Sequence, residues 1–295
     1  RHGRGVEEDV RRHPDPPQER PLGAAKPGAL VHPRLDLPAK VDGSMVFAGD
    51  VRLPGMLHAA IRHGPVGLPF LAEAPLMVPP GVRIVRHERW VAAAAENWWQ
   101  ADRALAALEP PFTGPGAADG DSVASWLTEA VKGEGREVAT IGDAATALDD
   151  GDAVFTATYS VAPAVHAPLE TASATARFVD GRLELWIASQ SPEAARRAAA
   201  RALGLALRDV TLYPLPAGGS FDARLETGHA AEAALIAKAL RRPVQLTWSR
   251  AEELKSLPPR TPAALGLTAK LDPATRLPAA WRTRIACPAT THEFR

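Results

Sequence analysis

Apolar and polar positions along this chain follow two periods, and the places where they switch mark the expected elements. Val46-Phe47 and the run from Met56 to Ile61 are short apolar stretches between Gly and Pro turns, and they read as short strands. "VRIVRHERWVAAAAENWWQADRALAAL", residues 82–108, reads as strand, turn, strand and helix. Asn97 is placed as an N-cap, with Gln100 three residues on, and Trp98, Ala101, Leu105 and Leu108 follow at helical spacing. Residues 109–122 are rich in Pro and Gly and predict a linker. A helix is expected over 123–131 and a loop after it.

The second half is more regular. Residues 152–161 alternate as a strand. Residues 171–189 read as two strands joined at Asp180-Gly181, a pair that accepts positive φ and so favours a tight hairpin. Ser191-Pro192-Glu193 opens a helix over 194–203, and Gly204 closes it. A strand at 209–215 leads through "PAGGSFDARLE" (216–226) to a helix at 229–240. Another strand follows at 242–250, with Val244, Leu246 and Trp248 on one face. Hairpins mixed with crossover helices define an α+β or mixed α/β fold without internal repeats.

Composition narrows the possible functions. The 295 residues suffice for about two domains, and 46% of them are hydrophobic. Lys+Arg and Asp+Glu are equal at 34 each, so no global field draws nucleic acid or an acidic membrane. The lone Cys287 excludes an internal disulfide framework, a Cys-rich zinc site and an iron–sulfur cluster held by this chain. No apolar run is long enough to span a bilayer, and a soluble protein of cytoplasm or periplasm is expected. Residues 1–33 are charged and Pro/Gly-rich, which predicts a mobile segment.

The best local site signal is the strand–loop–helix at 210–240. Glycines between a strand and a helix let backbone N–H groups approach an anion. Two glycines after a strand are also commonly a plain turn, and this is neither a dinucleotide fingerprint nor a P-loop. His166 and Glu170 stand four apart, but Pro163 and Pro168 argue against the regular helix that would make them a metal pair. The remaining histidines show no ligand spacing. The serines lack a nucleophile-elbow context, and Arg196, Arg197 and Arg201 read as a solvated helix face.

Taken in order, these stretches resemble a known family. "RLDLPAKVDGSMVFAGDVRLPGMLHAAI" and "VAAAAENWWQADRALAAL" are similar to the α/β hammerhead domain of the xanthine dehydrogenase/aldehyde oxidase family. "YSVAPAVHAPLETASATA", "LELWIASQSPEAARRAAARALGL", "PAGGSFDARLE" and "RRPVQLTWSRAEEL" stand in the order and spacing of molybdenum hydroxylase large subunits, most like the isoquinoline 1-oxidoreductase β-subunit type. The resemblance covers residues 34–295 and implies a fragment of a longer chain. It divides the chain into a mobile segment (1–33), a hammerhead domain (34–112), a linker (113–150) and a partial molybdopterin-binding domain (151–295).

The resemblance also implies a chemistry. The family binds molybdenum through molybdopterin cytosine dinucleotide. It hydroxylates an aromatic N-heterocycle or an aldehyde with oxygen from water, and passes electrons to a small [2Fe–2S] subunit. The cofactor carries the redox work, and the protein orients it. The positions that match the family's cofactor-binding residues are Gln190, Gly218, Gly219, Ser220, Phe221 and Arg224, with His166, Glu170 and Glu226 in the active-site vicinity and no direct metal ligand. The family's general-base glutamate is expected beyond the C-terminus. The departures are Ser220 in place of a third glycine, Asp222-Ala223 in place of Gly-Arg, and Thr171 in place of a proline. A side chain at 220 is expected to crowd the metal, and a carboxylate at 222 to repel an anionic cofactor unless it points away or pairs with Arg224. They keep open an alternative, a non-catalytic paralogue that retained the fold and lost the cofactor.

Overall fold

The computed structural model describes residues 34–75, 77–117, 119–149 and 154–288. The expected mobile segment 1–33 lies outside them. Two units are distinguished, with a boundary between Met45 and Val46. In the first, the described residues form one short helix, α1 (Leu37–Val41), whose Lys40 pairs with Asp36 at 2.6 Å.

The second unit is built on a seven-stranded mixed sheet. Its strands are β1 (Leu57–His63), β3 (Arg83–His87), β4 (Trp90–Ala95), β7 (Ser173–Val179), β8 (Arg182–Ala188), β9 (Val210–Leu215) and β10 (Val244–Thr247). Their spatial order is β3-β4-β1-β10-β7-β8-β9. β1 runs parallel to β10, and β8 runs parallel to β9; the other pairs are antiparallel. A two-residue pair, β2 (Phe70–Leu71) and β5 (Phe112–Thr113), lies apart. β6 (Val154–Val161), β11 (Ala263–Leu271) and β12 (Pro278–Ala286) form a separate antiparallel sheet in the order β12-β11-β6.

Alternation along the strands sorts side chains into two cores. From β1 and β4, Ala59, Ile61, Ala92 and Ala94 face a core shared with β7, β8, β10 and the helices α5 (Pro192–Leu203) and α6 (Gly228–Leu240). Their neighbours Ala60, Val91, Ala93 and Ala95 face the other way, onto α2 (Trp98–Leu108). Small side chains on both partners, Ala93 and Ala95 against Ala101 and Ala104, let α2 lie close on the strands. The helices α3 (Gly120–Ala130) and α4 (Ala144–Asp149) serve the small sheet, and α7 (Arg250–Ser256) follows β10.

Several local expectations meet their structural counterparts. The Asn97 side chain accepts from the Gln100 N–H at 2.9 Å. Asp180 and Gly181 take φ of 50° and 77° at the hairpin, and Gly204 ends α5 at φ 68°. Others differ. Val46-Phe47 is no strand, because the Gln245 amide draws the following turn onto the sheet through the carbonyls of Ala48, Gly49 and Val51. Ser191 makes no side-chain cap; its own N–H donates to Ser189 Oγ, and Pro192 begins the helix. The large sheet draws strands from both 34–112 and 151–295, since β1 hydrogen-bonds β4 on one side and β10 on the other.

Candidate functional site

The sheet topology gathers the sequence-predicted residues at one edge. β8, β9 and β10 run the same way, and β7 runs against them. The segments after β8 (Ser189–Ser191), after β9 (216–227) and after β10 (Trp248–Arg250) therefore leave the edge at which 166–172 enters β7. Carboxyl ends of parallel strands are where open α/β sheets present ligand sites.

The loop after β9 is pinned by Glu170. Gly218 N–H donates to Glu170 Oε2 at 2.8 Å, and Glu170 N–H donates to the Gly218 carbonyl at 3.0 Å. Gly49 N–H reaches the other carboxylate oxygen at 3.4 Å. Glycine at 218 is a packing requirement, because a β-carbon there would stand 2.7 Å from Glu170 Cβ. Gly219 takes φ +95°, which L-residues rarely adopt.

At the tip the chain turns through two left-handed residues, Phe221 (φ 49°) and Asp222 (φ 74°). Phe221 is 64% exposed. Asp222 is exposed too, and points to Arg260 at 3.9 Å rather than to Arg224. The loop folds back through Ala223 N–H to the Ser220 carbonyl and Leu225 N–H to the Asp222 carbonyl. Among the described residues, the N–H groups of Gly219, Ser220, Phe221 and Asp222 donate to nothing. Four successive donors thus stand unspent at the sheet edge, a set that suits an oxyanion or oxo group.

Arg224 is fully buried. Its Nη1 donates to Glu253 Oε1 at 3.1 Å and its Nη2 to the Glu170 carbonyl. Its own carbonyl receives the Gln190 N–H at 2.9 Å, so the Gln190 loop hangs on the same residue, with the Gln190 side chain exposed. Glu253 Oε1 also accepts the Ala172 N–H at 3.1 Å, and Oε2 pairs with Arg250. Arg250 in turn donates to the Pro168 carbonyl and to that of Leu169 at 2.9 Å. Two arginines and one glutamate therefore clamp 168–172. His166 sets its two ring nitrogens against the carbonyls of Phe221 and Pro258. Glu226 follows the turn as a half-buried, extended residue.

Sequence reasoning did not single out Glu253 or Gly49. The local pattern Ser249-x-x-Glu252 does signal α7, since Ser249 Oγ caps the Glu252 N–H at 3.1 Å. Nothing local signals the clamp, whose partners come from distant segments.

Asp222 carries a test of the loop's strain. Aspartate tolerates the left-handed region better than most residues but still costs more there than glycine. Its ion pair with Arg260 is exposed and worth little. Asp222→Gly is expected to raise stability by about 0.5–1 kcal/mol, the glycine's unfolded-state entropy offsetting part of the relief. Urea unfolding of the two proteins checks this.

Two buried histidines contribute opposite terms to the pH response. Burial pushes the His229 imidazole down to about 3, helped by the charge of Arg224, and its Nε2 has no partner among the described residues. Burial alone would lower His63 too, but Glu232 and Glu252 outweigh it and raise its pKa to about 9. A lowered pKa means the unfolded chain binds the extra proton, so the His229 term costs stability as pH falls below about 6.5. A raised one means the His63 contribution is full below about 6.5 and lost as pH rises through about 9. Unfolding midpoints are therefore expected to peak near neutrality, and His229→Phe is expected to flatten the acid limb.

Among the described residues, no group of three or more His, Cys, Asp or Glu is placed to hold a metal ion. No helix among them is long and apolar enough to cross a membrane. What the edge offers is backbone donors on a clamped loop.

Comparison with known proteins identifies the family. Residues 129–280 match the molybdopterin cofactor-binding domain family. The β subunit of isoquinoline 1-oxidoreductase from Brevundimonas diminuta is 29% identical over 261 residues, which cover 77% of this chain and 31% of that protein. A nicotinate dehydrogenase subunit from Pseudomonas putida is 28% identical over 241 residues, 75% of this chain and 20% of that protein. Quinoline 2-oxidoreductase from Pseudomonas putida 86 superposes with a TM-score of 0.61 at 19% identity, covering 79% of this chain and 36% of that one, which shows a shared fold. The chain belongs to the molybdenum hydroxylase family and carries its molybdopterin cofactor-binding domain. It spans about a third or less of the length of these curated relatives.

Proposed function

We propose that this chain is part of the large subunit of a molybdenum hydroxylase and that the 216–222 loop meets the cofactor. The observation that carries this reading is the run of four unspent N–H groups, Gly219 to Asp222, held at the sheet edge between the ends of β8 and β9. When bound, the cofactor would supply the redox chemistry that inserts a water-derived oxygen into a C–H bond of an electron-poor heterocycle or an aldehyde. The chain's own residues bind and orient. Gly219, Ser220 and Phe221 offer donors, and Gln190 presents its side chain from the adjacent strand end. Glu170 and Arg224 fix the loop from beneath, His166 holds the Phe221 carbonyl, and Glu226 closes the motif. The cytosine dinucleotide form of the cofactor, a [2Fe–2S] partner subunit and the general-base glutamate farther along the polypeptide belong to the same proposal, as does the match of 34–112 to the hammerhead domain.

The test is the metal and nucleotide content of the complete protein, expressed with its genomic neighbours. Stoichiometric molybdenum, with CMP released on acid hydrolysis, is the expected result. Protein that folds but holds neither molybdenum nor pterin overturns the reading in favour of the non-catalytic paralogue. Ser220→Gly/Asp222→Gly then shows whether the two departures alone block binding.

A further inference from the structure

His63 ends β1 at the same sheet edge, outside the residues assigned above. Its Nε2 stands 2.8 Å from Glu232 Oε1 on α6, and its Nδ1 stands 2.7 Å from Glu252 Oε1 on α7. Its backbone N–H donates to Glu252 Oε1 as well, at 2.7 Å. The partners are themselves held: Trp248 Nε1 donates to Glu232 Oε2 at 3.0 Å, and Ser256 Oγ donates to Glu252 Oε1 at 2.8 Å. All three side chains are largely buried. A carboxylate only accepts, so both ring nitrogens must donate, and only the imidazolium meets both partners. A neutral ring would leave one lone pair facing a buried carboxylate oxygen.

The two helices tied in this way carry the loop's supports. α6 begins directly after the loop, at Gly228. α7 carries Glu253, next to Glu252, and Glu253 anchors Arg224, Arg250 and the Ala172 N–H. A chain of direct contacts thus runs from His63 through Glu252 and Glu253 to Arg224, to Glu170 and to Gly218.

We propose that His63 is a positioning residue for the 216–222 loop: its imidazolium fastens α6 and α7 to the end of β1, and loss of that charge in alkali releases the clamp on 168–172 and with it the loop. The proposal rests on the chain's own contacts and stands whether or not the loop meets a cofactor.

The charged surroundings leave the role to this residue. From β1, Arg62 turns to the opposite face and pairs with Asp102 of α2 at 2.7 Å. From α6, Glu232 faces the ring, and His229, a turn earlier, is held neutral. From α7, Glu252 faces it, while Arg250 and Glu253 are committed to the clamp. Trp90, opposite His63 in register on β4, and Trp248, whose ring centroid lies 4.5 Å from it, carry no charge.

Amide hydrogen exchange on the full chain, normalised to intrinsic rates, tests this. In His63→Gln at neutral pH, exchange of Gly218, Glu170 and Ala172 is expected to rise by about tenfold or more while the β7–β8 hairpin keeps its protection. His63→Arg, which restores a buried donor cation, is expected to recover most of the difference. Unchanged loop protection in His63→Gln overturns the proposal, and so does a loss shared equally by the hairpin, which marks a general stability effect. If His63→Gln does not fold, the wild-type protein decides. Loop protection is expected to fall over the same alkaline range in which the His63 ring titrates by NMR, and a fall that does not track that titration overturns it.

Discussion

Replacing Glu253 by Ala is expected to destabilise the protein by about 3–5 kcal/mol, the cost of leaving a buried charge without its partner. The reason is the burial of both members. The Arg224 and Glu253 side chains are 2% and 1% exposed, and Glu253 also holds the Ala172 N–H and Arg250. With the carboxylate gone, the Arg224 guanidinium loses its buried counter-charge and keeps its bond to the Glu170 carbonyl. The double variant Arg224→Met/Glu253→Leu removes both charges, and it is expected to be less destabilised than the two single changes summed, with a coupling of about 1–3 kcal/mol. Urea unfolding of the full cycle measures this. The exposed Lys132–Glu129 pair is the control, and Lys132→Ala is expected to shift stability by less than about 0.5 kcal/mol.

Gly218→Ala is the second large effect. The new β-carbon would stand 2.7 Å from Glu170 Cβ and 3.0 Å from its Oε2, well inside a normal carbon contact. Strand β9 lies directly before the loop and 168–170 is clamped from below, so the strain goes into the loop. Overpacking of this kind costs about 1–3 kcal/mol, and displacement of the Gly218 N–H from Glu170 adds about 1 kcal/mol more. Gly228→Ala at the start of α6 makes the contrast. Its β-carbon would meet only Glu232 Oε1, at 3.7 Å, and is expected to be neutral or mildly stabilising. Thermal unfolding separates the two. Under the cofactor reading, the molybdenum content of the complete enzyme falls for Gly218→Ala and not for Gly228→Ala.

The parts of the fold readable from the sequence are those with a local cause. The Asp180-Gly181 turn, the Asn97 cap and the Gly204 stop each depend on a backbone conformation that few residues accept. The ordered motifs likewise grouped Gln190, 216–226 and His166–Glu170, and the topology brings these segments to one edge. The remainder has non-local causes. Val46-Phe47 resembles a strand, but Gln245, nearly two hundred residues away, turns the following backbone onto the sheet. Glu253 meets Arg224 across 29 residues and Ala172 across 81, and His63 meets Glu252 across 189. No spacing rule links such pairs. For Asp222 the resemblance pointed to charge as the consequence of an acidic residue in the loop, whereas the structure adds a backbone cost through its φ of 74°.

The pairing of β1 with β10, Leu57 against Val244, also constrains how the molecule assembles. β1, β3 and β4 precede β10 in the chain, and the flank of β1 that β10 covers waits for nearly two hundred residues of synthesis. Until then the backbone from Leu57 to Ala59 lacks its β10 partner and forms an open edge. Closing so long a span is expected to slow folding, which stopped-flow refolding checks. A piece that ends after β4 is therefore expected to associate through that flank, and light scattering of such a piece checks this.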